Sequence, residues 1–261
     1  MSNQKIKPID IYNKYIRYKN EANQIIRSTE AKDQYSASGA GMCIRKHWYG
    51  MNNYERKTKD DRSLRLLRLG TVLGKDFDKA INWYEQLNKE AENVAGNETA
   101  GYKFYTESPV KCERLKLIGH FDLLIVDNNR NGYLYDYKTS HSFKFKQLFG
   151  RSKMDGSPSN NYEYQLGTYA FMIEEDKEHN YCDQVVHMEN IYINKDNSVV
   201  KSKVADNEYK DHAKNYWEIV NKYNKADEPP AFGSWSPAYT WECGKYCDFS
   251  DVCNSPYKKK E

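Results

Sequence analysis

The chain of 261 residues has no apolar run long enough to cross a bilayer, and its opening MSNQKIKPID lacks the apolar stretch of a secretion signal. Membrane insertion and export are both disfavoured, and a cytoplasmic location is expected. Strong charge bias is missing too. Forty Lys and Arg stand against 37 Asp and Glu, a net of +3, so bulk basicity gives no argument for a nucleic-acid partner, although the balance leaves room for a basic groove beside an acidic site. There is no internal repeat, and cysteine is sparse. In a reducing compartment the six thiols suit metal ligation or a free state rather than disulfides. What the chain has in excess is tyrosine, 23 residues, most of them suited to strands and core edges. The remainder offer flat rings able to stack on unpaired bases.

The length suits one large domain, residues 1–261, with room for a small appended lobe. Residues 8–28 read as an amphipathic helix opened by Pro8, after which SASGAGMC (36–43) breaks any regular pattern. Helical periodicity returns over 60–95, where Leu64, Leu67, Val72, Phe77, Ile81 and Tyr84 are spaced as an inward stripe. Strands are expected near 102–111, 114–126, 132–139 and 185–194, with helices at 162–176 and 205–224 and a loop at 150–161. Helix, three strands, helix, strand, helix implies a mixed α/β domain whose sheet is covered by helices.

One hairpin, GHFDLLIVDNNRNGYLYDYKTS (119–140), carries polar groups where apolar ones belong. Side chains two apart on a strand share a face, so Asp122 groups with Leu124 and Val126, and Asp136 with Leu134 and Lys138. Closing the chain through Asp127 to Gly132 places Asp122 nearly opposite Asp136 and His120 nearly opposite Lys138. Two desolvated carboxylates side by side cost several kcal/mol unless something positive sits between them. Mg²⁺ or Mn²⁺ is the natural occupant, because these ions prefer carboxylate oxygens and keep waters, one of which can become a nucleophile. A solvated Asp–Lys surface pair is the plainer alternative.

WECGKYCDFSDVC places Cys243, Cys247 and Cys253 within eleven residues. Three thiols so close converge readily on one zinc ion or iron–sulfur cluster, but a closed site needs a fourth ligand, for which Cys43 is the candidate. Such a ligand would tie the two chain ends together and contribute directly to folding. Cys112 and Cys182 lie in strand-like surroundings and read as buried thiols.

These features line up with a known family. The chain resembles the PD-(D/E)XK nuclease superfamily, and within it the RecB-like branch with an iron–sulfur cluster, which includes CRISPR-associated RecB-like nucleases and phage exonucleases. Gly119-His120-Phe121-Asp122 matches the G-x-x-D strand, Asp136-Tyr137-Lys138 the D/E-x-K strand, and Gln165 with Tyr169 the Q-x-x-x-Y helix. Cys43 with CDFSDVC matches the split cysteine set, and the four motifs occur in order over about residues 36–253. Two departures stand out. The family's metal-binding His after a helical Gly is replaced here by Gly74, and Cys243 and Cys247 have three residues between them where two are usual.

The resemblance implies a restriction-endonuclease-like mixed sheet flanked by helices, with a cluster lobe made by about 36–50 and 228–256. It implies catalytic roles for Asp122, Asp136, Lys138, Gln165 and Tyr169. Mg²⁺ or Mn²⁺ would be held by Asp122, Asp136 and the carbonyl of Tyr137, with His120 or Glu107 standing in for the missing His and Asp78 a weaker substitute. Cys43, Cys243, Cys247 and Cys253 would hold a 4Fe–4S cluster, or zinc. DNA, preferably single-stranded, would contact Arg45, Lys46, Trp48 and Tyr49 beside the cluster and Arg151 and Lys153 in the loop. The implied activity is exonucleolytic hydrolysis in recombination, replication or repair, in a prokaryotic or phage-infected cell. The alternative is a catalytically inactive binding protein on the same scaffold.

Overall fold

The computed structural model describes residues 7–30, 33–91, 101–150, 160–224, 226–232, 242–243 and 246–256. Among these, six strands form one mixed sheet: β1 (Tyr35–Ser36), β2 (Lys103–Cys112), β3 (Leu117–Val126), β4 (Asn131–Ser140), β5 (Gln184–Asn194) and β6 (Val200–Val204). β2 and β4 run antiparallel to β3, β5 lies parallel to β4, and β6 returns antiparallel along β5. The expected hairpin between β3 and β4 is present. Its turn is set by the Asp127 carboxylate, which accepts from the amides of Asn129 and Asn131, while Arg130 takes a left-handed φ of +60°.

The irregularity that matters is a fork. β4 pairs with β3 only from Leu123 opposite Tyr135 to Val126 opposite Gly132, although β3 continues back to Leu117. At that far end β1 pairs instead, in parallel, with Leu117 and Ile118. The stretch from Gly119 to Asp122 therefore has no strand pairing on this edge, and β4 diverges just where Asp136 and Lys138 begin.

Helix α5 (Asn161–Glu175) covers the face that carries Asp136 and Lys138, and α6 (Tyr209–Tyr223) packs on α5. At Gly167 the two helices approach so tightly that a Cβ would come within 2.1 Å of the Tyr209 carbonyl oxygen. Between these layers lie Phe121, Leu124, Leu134, Leu166, Met172, Met188 and Trp217, all essentially inaccessible. Each such side chain stabilises the fold by roughly 1.5–3 kcal/mol on burial. Trp217 also donates from Nε1 to Thr168 Oγ1 at 2.9 Å, so its polar edge is satisfied inside the core.

The other face is covered by α3 (Asp61–Ala91), whose Phe77 ring stacks on Tyr137 at 4.4 Å. Helix α1 (Pro8–Glu30) lies along α3, fastened by the two-pronged contact of Arg17 with Asp61. The inward stripe expected of α3 needs correction. Leu64 is buried, but Leu67 and Val72 are more than half exposed, because α3 touches the sheet only along part of its length. Helices α2 (Ile44–Met51) and α4 (Ser142–Phe149) and strand β6 were not anticipated. The loop expected at 150–161 falls largely outside the described residues.

Helix α2 packs against residues 226–232 and 246–256. Trp48 donates from Nε1 to the Ala226 carbonyl, Lys57 N donates to Asp248 O, and the Tyr49 and Phe249 rings stack. Cys253 belongs to the same small apolar cluster, with Cys247 against it.

Candidate active site

The fork makes the site. Where β4 leaves β3, the amide of Tyr137 has no carbonyl opposite and is taken by Asp122, whose Oδ2 accepts from it at 2.7 Å. Asp136, only 2% exposed, points toward α5. Its Oδ1 accepts from Gln165 Nε2 at 3.1 Å, and its Oδ2 is ion-paired with the Lys138 ammonium. That ammonium also donates to Gln165 Oε1 at 3.0 Å, which closes a three-residue network. Tyr169, one helical turn after Gln165, shares a hydrogen bond with it and packs against Gly119. The five residues expected to be catalytic are thus brought to one place.

Electrostatics at the fork follow from crowding of acid groups out of water. Burial, then the neighbouring Asp136 charge, pushes Asp122 up to about 8 against the opposing pull of Lys138 and the Tyr137 amide. Burial also raises Asp136, again opposed by Lys138. For Lys138, burial works against the charged form, but Asp136 and Asp122 outweigh it and its pKa lies above the ordinary lysine value. The ammonium is therefore protonated at neutral pH. Its chemistry is charge stabilisation rather than proton abstraction.

On the α3 side the fork opens into a cleft of about 550 Å³. Asp122, Glu107 and Tyr137 face it, α3 walls it from Gly70 to Asp78, and Thr139 and Ile193 complete the lining. Glu107 reaches it through a backbone irregularity. The β2–β3 ladder skips the pair of Glu107 with Asp122, and Glu107 adopts a left-handed φ of +42°, a conformation that a side chain of this kind rarely takes. Burial, then the charge of Asp78, raises the Glu107 pKa, and burial likewise raises Asp78. Gly74 also lines the cleft, and a Cβ there would meet nothing within 4 Å.

The donor set suits a hard divalent cation: Asp122 and Glu107 offer carboxylate oxygen to an open cleft, and crowding of their charges calls for a positive partner. Among the described residues no three His, Cys, Asp or Glu side chains stand close enough together to cage an ion, and Asp136 spends its oxygens on Lys138 and Gln165. Metal entry would have to open that contact. His120 is solvent-exposed and does not line the cleft.

The expected DNA-contacting residues fare differently. Arg45 is 6% exposed and reaches Pro230 O, Tyr49 Oη and Asn254 Oδ1 while lying over the Phe232 ring at 3.9 Å. Lys46 pairs with Glu242 at 3.1 Å, and Trp48 and Tyr49 are buried. Instead of presenting charge and rings to a ligand, these four staple the chain ends together, and the expectation is corrected. Arg151 and Lys153 lie outside the described residues. Of the cysteines, Cys43 caps α2 and stands near enough to Cys247 to affect its ionisation, and Cys253 meets Tyr49. Cys43, Cys243, Cys247 and Cys253 are all among the described residues, yet no three of them stand close enough together to hold a metal, so a zinc ion or cluster would require the thiols to draw closer.

A family model for the PD-(D/E)XK nuclease superfamily matches residues 46–254, and the chain belongs to that superfamily. No curated protein matches it. Among solved structures, similarity extends to a provisionally assigned exonuclease of Eubacterium rectale, at 14% identity and a TM-score of 0.49, covering 88% of this chain and 93% of the other. It extends also to an alkaline exonuclease of Laribacter hongkongensis, at 10% identity and a TM-score of 0.41, covering 76% and 91%.

Proposed function

We propose that the chain is a deoxyribonuclease dependent on Mg²⁺ or Mn²⁺, acting as an exonuclease with a preference for single-stranded DNA, in recombination, replication or repair within a prokaryotic or phage-infected cell. The observation that carries this reading is the fork itself, where a buried carboxylate, a half-buried one, an ammonium and a carboxamide converge beside an acid-lined cleft. A divalent cation bound by Asp122 and Asp136 with the Tyr137 carbonyl, and by Glu107 directly or through water, would polarise a phosphate and bring a water toward ionisation near neutral pH.

The residues divide the remaining work. Lys138 places a fixed positive charge where negative charge builds on phosphorus. Gln165, bonded to both Asp136 and Lys138, keeps the two in register, and its amide can turn to a water or phosphate oxygen when the ion pair opens. Tyr169 holds Gln165 from beneath. The lobe is structural: Cys43, Cys243, Cys247 and Cys253 would bind a 4Fe–4S cluster, with Zn²⁺ as the alternative, and brace the chain ends.

One observation favours a second reading. Gly74 leaves open space where the family places a histidine, as in a member that binds nucleic acid or protein without cutting. Incubation with labelled single- and double-stranded DNA and Mn²⁺, alongside Asp136→Ala and Lys138→Ala, separates the two. Degradation by wild type alone supports the enzyme. DNA left equally intact by all three proteins overturns it.

A further inference from the structure

Lys138 has a third neighbour that none of the sequence motifs contains. Its ammonium lies 4.7 Å from the centroid of the Tyr162 ring, and the ammonium of Lys144, on α4, lies 4.2 Å from the same centroid. Tyr162 stands in the first turn of α5, three residues before Gln165, so one helix face presents the ring and the carboxamide to Lys138 together. Behind the ring is Tyr192, at 6.2 Å between centroids, itself 1% exposed and paired in register with Lys138 on the neighbouring strand. Tyr162 and Lys144 are both half-buried.

From this geometry we infer that Tyr162 is a positioning residue for Lys138, and that Lys144, held at the same ring, contacts a phosphate of the substrate strand next to the one being cut. The inference rests on the nuclease reading and extends it. In the metal-free arrangement Lys138 is anchored by Asp136, by Gln165 and by the ring. Asp136 must release the ammonium if it is to bind a cation. A lysine with four rotatable bonds then wanders unless something else holds it, and what remains is the Gln165 oxygen and the negative face of the ring. A neutral ring suits that task, since it attracts the ammonium without competing with phosphate for the metal. Two ammoniums at one ring bring two positive charges into the same neighbourhood, an arrangement complementary to the phosphates of a polyanion.

The test uses the full chain with Tyr162→Phe, Tyr162→Leu and Lys144→Gln, assayed on single-stranded oligonucleotides with Mn²⁺ over a range of pH and salt. Tyr162→Phe keeps the ring and is expected within about threefold of wild type, whereas Tyr162→Leu should lose at least tenfold in kcat, with little change in KM and an altered pH profile. Lys144→Gln should act mainly on KM, raising it several-fold, and lower the salt dependence of binding by about one phosphate contact. A Leu variant with wild-type kcat, or a Phe variant as damaged as the Leu variant, overturns the inference. A second readout needs no catalysis. After reductive ¹³C-methylation of lysines, the Lys138 and Lys144 signals should be displaced by the ring in wild type and in Tyr162→Phe, and return to ordinary positions in Tyr162→Leu. If wild type cleaves no DNA, the nuclease reading is lost and these signals alone decide the placement. Undisplaced signals in wild type overturn it.

Discussion

The Tyr169 ring lies directly on the backbone of Gly119: a Cβ at that glycine would sit 2.7 Å from Tyr169 Cε1 and 3.0 Å from the Ala37 Cβ. Two sequence motifs thus share one contact, since Gly119 opens the motif that ends in Asp122, both within β3, and Tyr169 closes the helical motif that begins with Gln165. Tyr169 is 4% exposed and has no room to withdraw. Gly119→Ala should therefore destabilise the protein by about 1–3 kcal/mol, as overpacking of a tight core does. It should also cut cleavage by tenfold or more through displacement of Gln165. Urea unfolding and a DNA-degradation assay check both halves. A Gly119→Ala protein as stable and as active as wild type would mean that the contact is slack.

Asp122 gives a prediction with a definite sign. Its folded-state pKa of about 8 lies above the unfolded value of about 3.8, so its favourable contribution is complete below the unfolded value and is lost as pH rises through 8. In EDTA, Asp122→Asn should abolish this loss: its melting temperature should match wild type near pH 4 and exceed it by several degrees at pH 8.5, at roughly 2–4 °C per kcal/mol. Added Mn²⁺ should reverse the order, because a ligand that binds only the folded wild type raises its stability. Calorimetry with and without metal reads both effects. A variant that responds to Mn²⁺ as strongly as wild type would remove Asp122 from the metal site.

How much of this was legible in the sequence depends on whether the signal was local. The strand pattern of 119–140 and its polar interruptions survive as β3, β4 and the fork, because alternation and register are set by neighbours in the chain. The divergence of β4 from β3 was not legible, since it depends on β1, a two-residue strand some 80 positions earlier in the chain. Glu107 could be named but not its left-handed backbone, which arises from the skipped pair opposite Asp122. The misreading of Arg45, Lys46, Trp48 and Tyr49 has a similar cause. Basic and aromatic residues in a row suggest a binding surface, yet residues beyond 225 cover them. Tyr162 carried no signal among 23 tyrosines until Lys138 and Lys144 were seen to flank it.

Gly74 supplies a gain-of-function prediction. It lies within α3, faces the cleft and has free space beyond its Cα. Gly74→His should leave the fold intact and raise stability by a few tenths of a kcal/mol, because glycine is the poorer helix former. The imidazole would join Asp122 and Glu107 at the cleft, and Mn²⁺ should bind more tightly, as titration calorimetry would record. Unchanged affinity would show that the cleft does not hold the metal at this end.

The cysteine lobe makes a prediction by colour. Protein prepared without oxygen should absorb near 400 nm through thiolate-to-iron charge transfer, and Cys43→Ser should bleach it and loosen the contacts of α2 with residues 246–256. A colourless protein with one zinc per chain would replace the cluster by zinc. A protein holding neither metal would leave the lobe to its packing alone, with the Arg45 and Trp48 contacts as its fastenings.

The same lobe has an acid limit built into His47. Its ring is enclosed by Tyr35, Tyr216 and Trp217, with Nε2 at 3.0 Å from the Gly39 carbonyl oxygen and 2.7 Å from the Tyr216 hydroxyl. Burial, opposed by the Gly39 carbonyl and aided by the charges of Lys46 and Arg56, lowers its pKa to about 4. Folded protein thus holds the neutral ring, whereas the unfolded chain takes up a proton near pH 6.5. The stability due to His47 is complete above 6.5 and is lost as pH falls toward 4, amounting to about 2 kcal/mol by pH 5. Because other groups titrate in the same range, the measurement is a difference: urea midpoints at pH 7.5 and pH 5 for wild type and for His47→Phe, which keeps a ring but cannot take the proton. Wild type should lose more stability over that interval. Equal losses in the two proteins would mean that the imidazole stays wet enough to protonate in place.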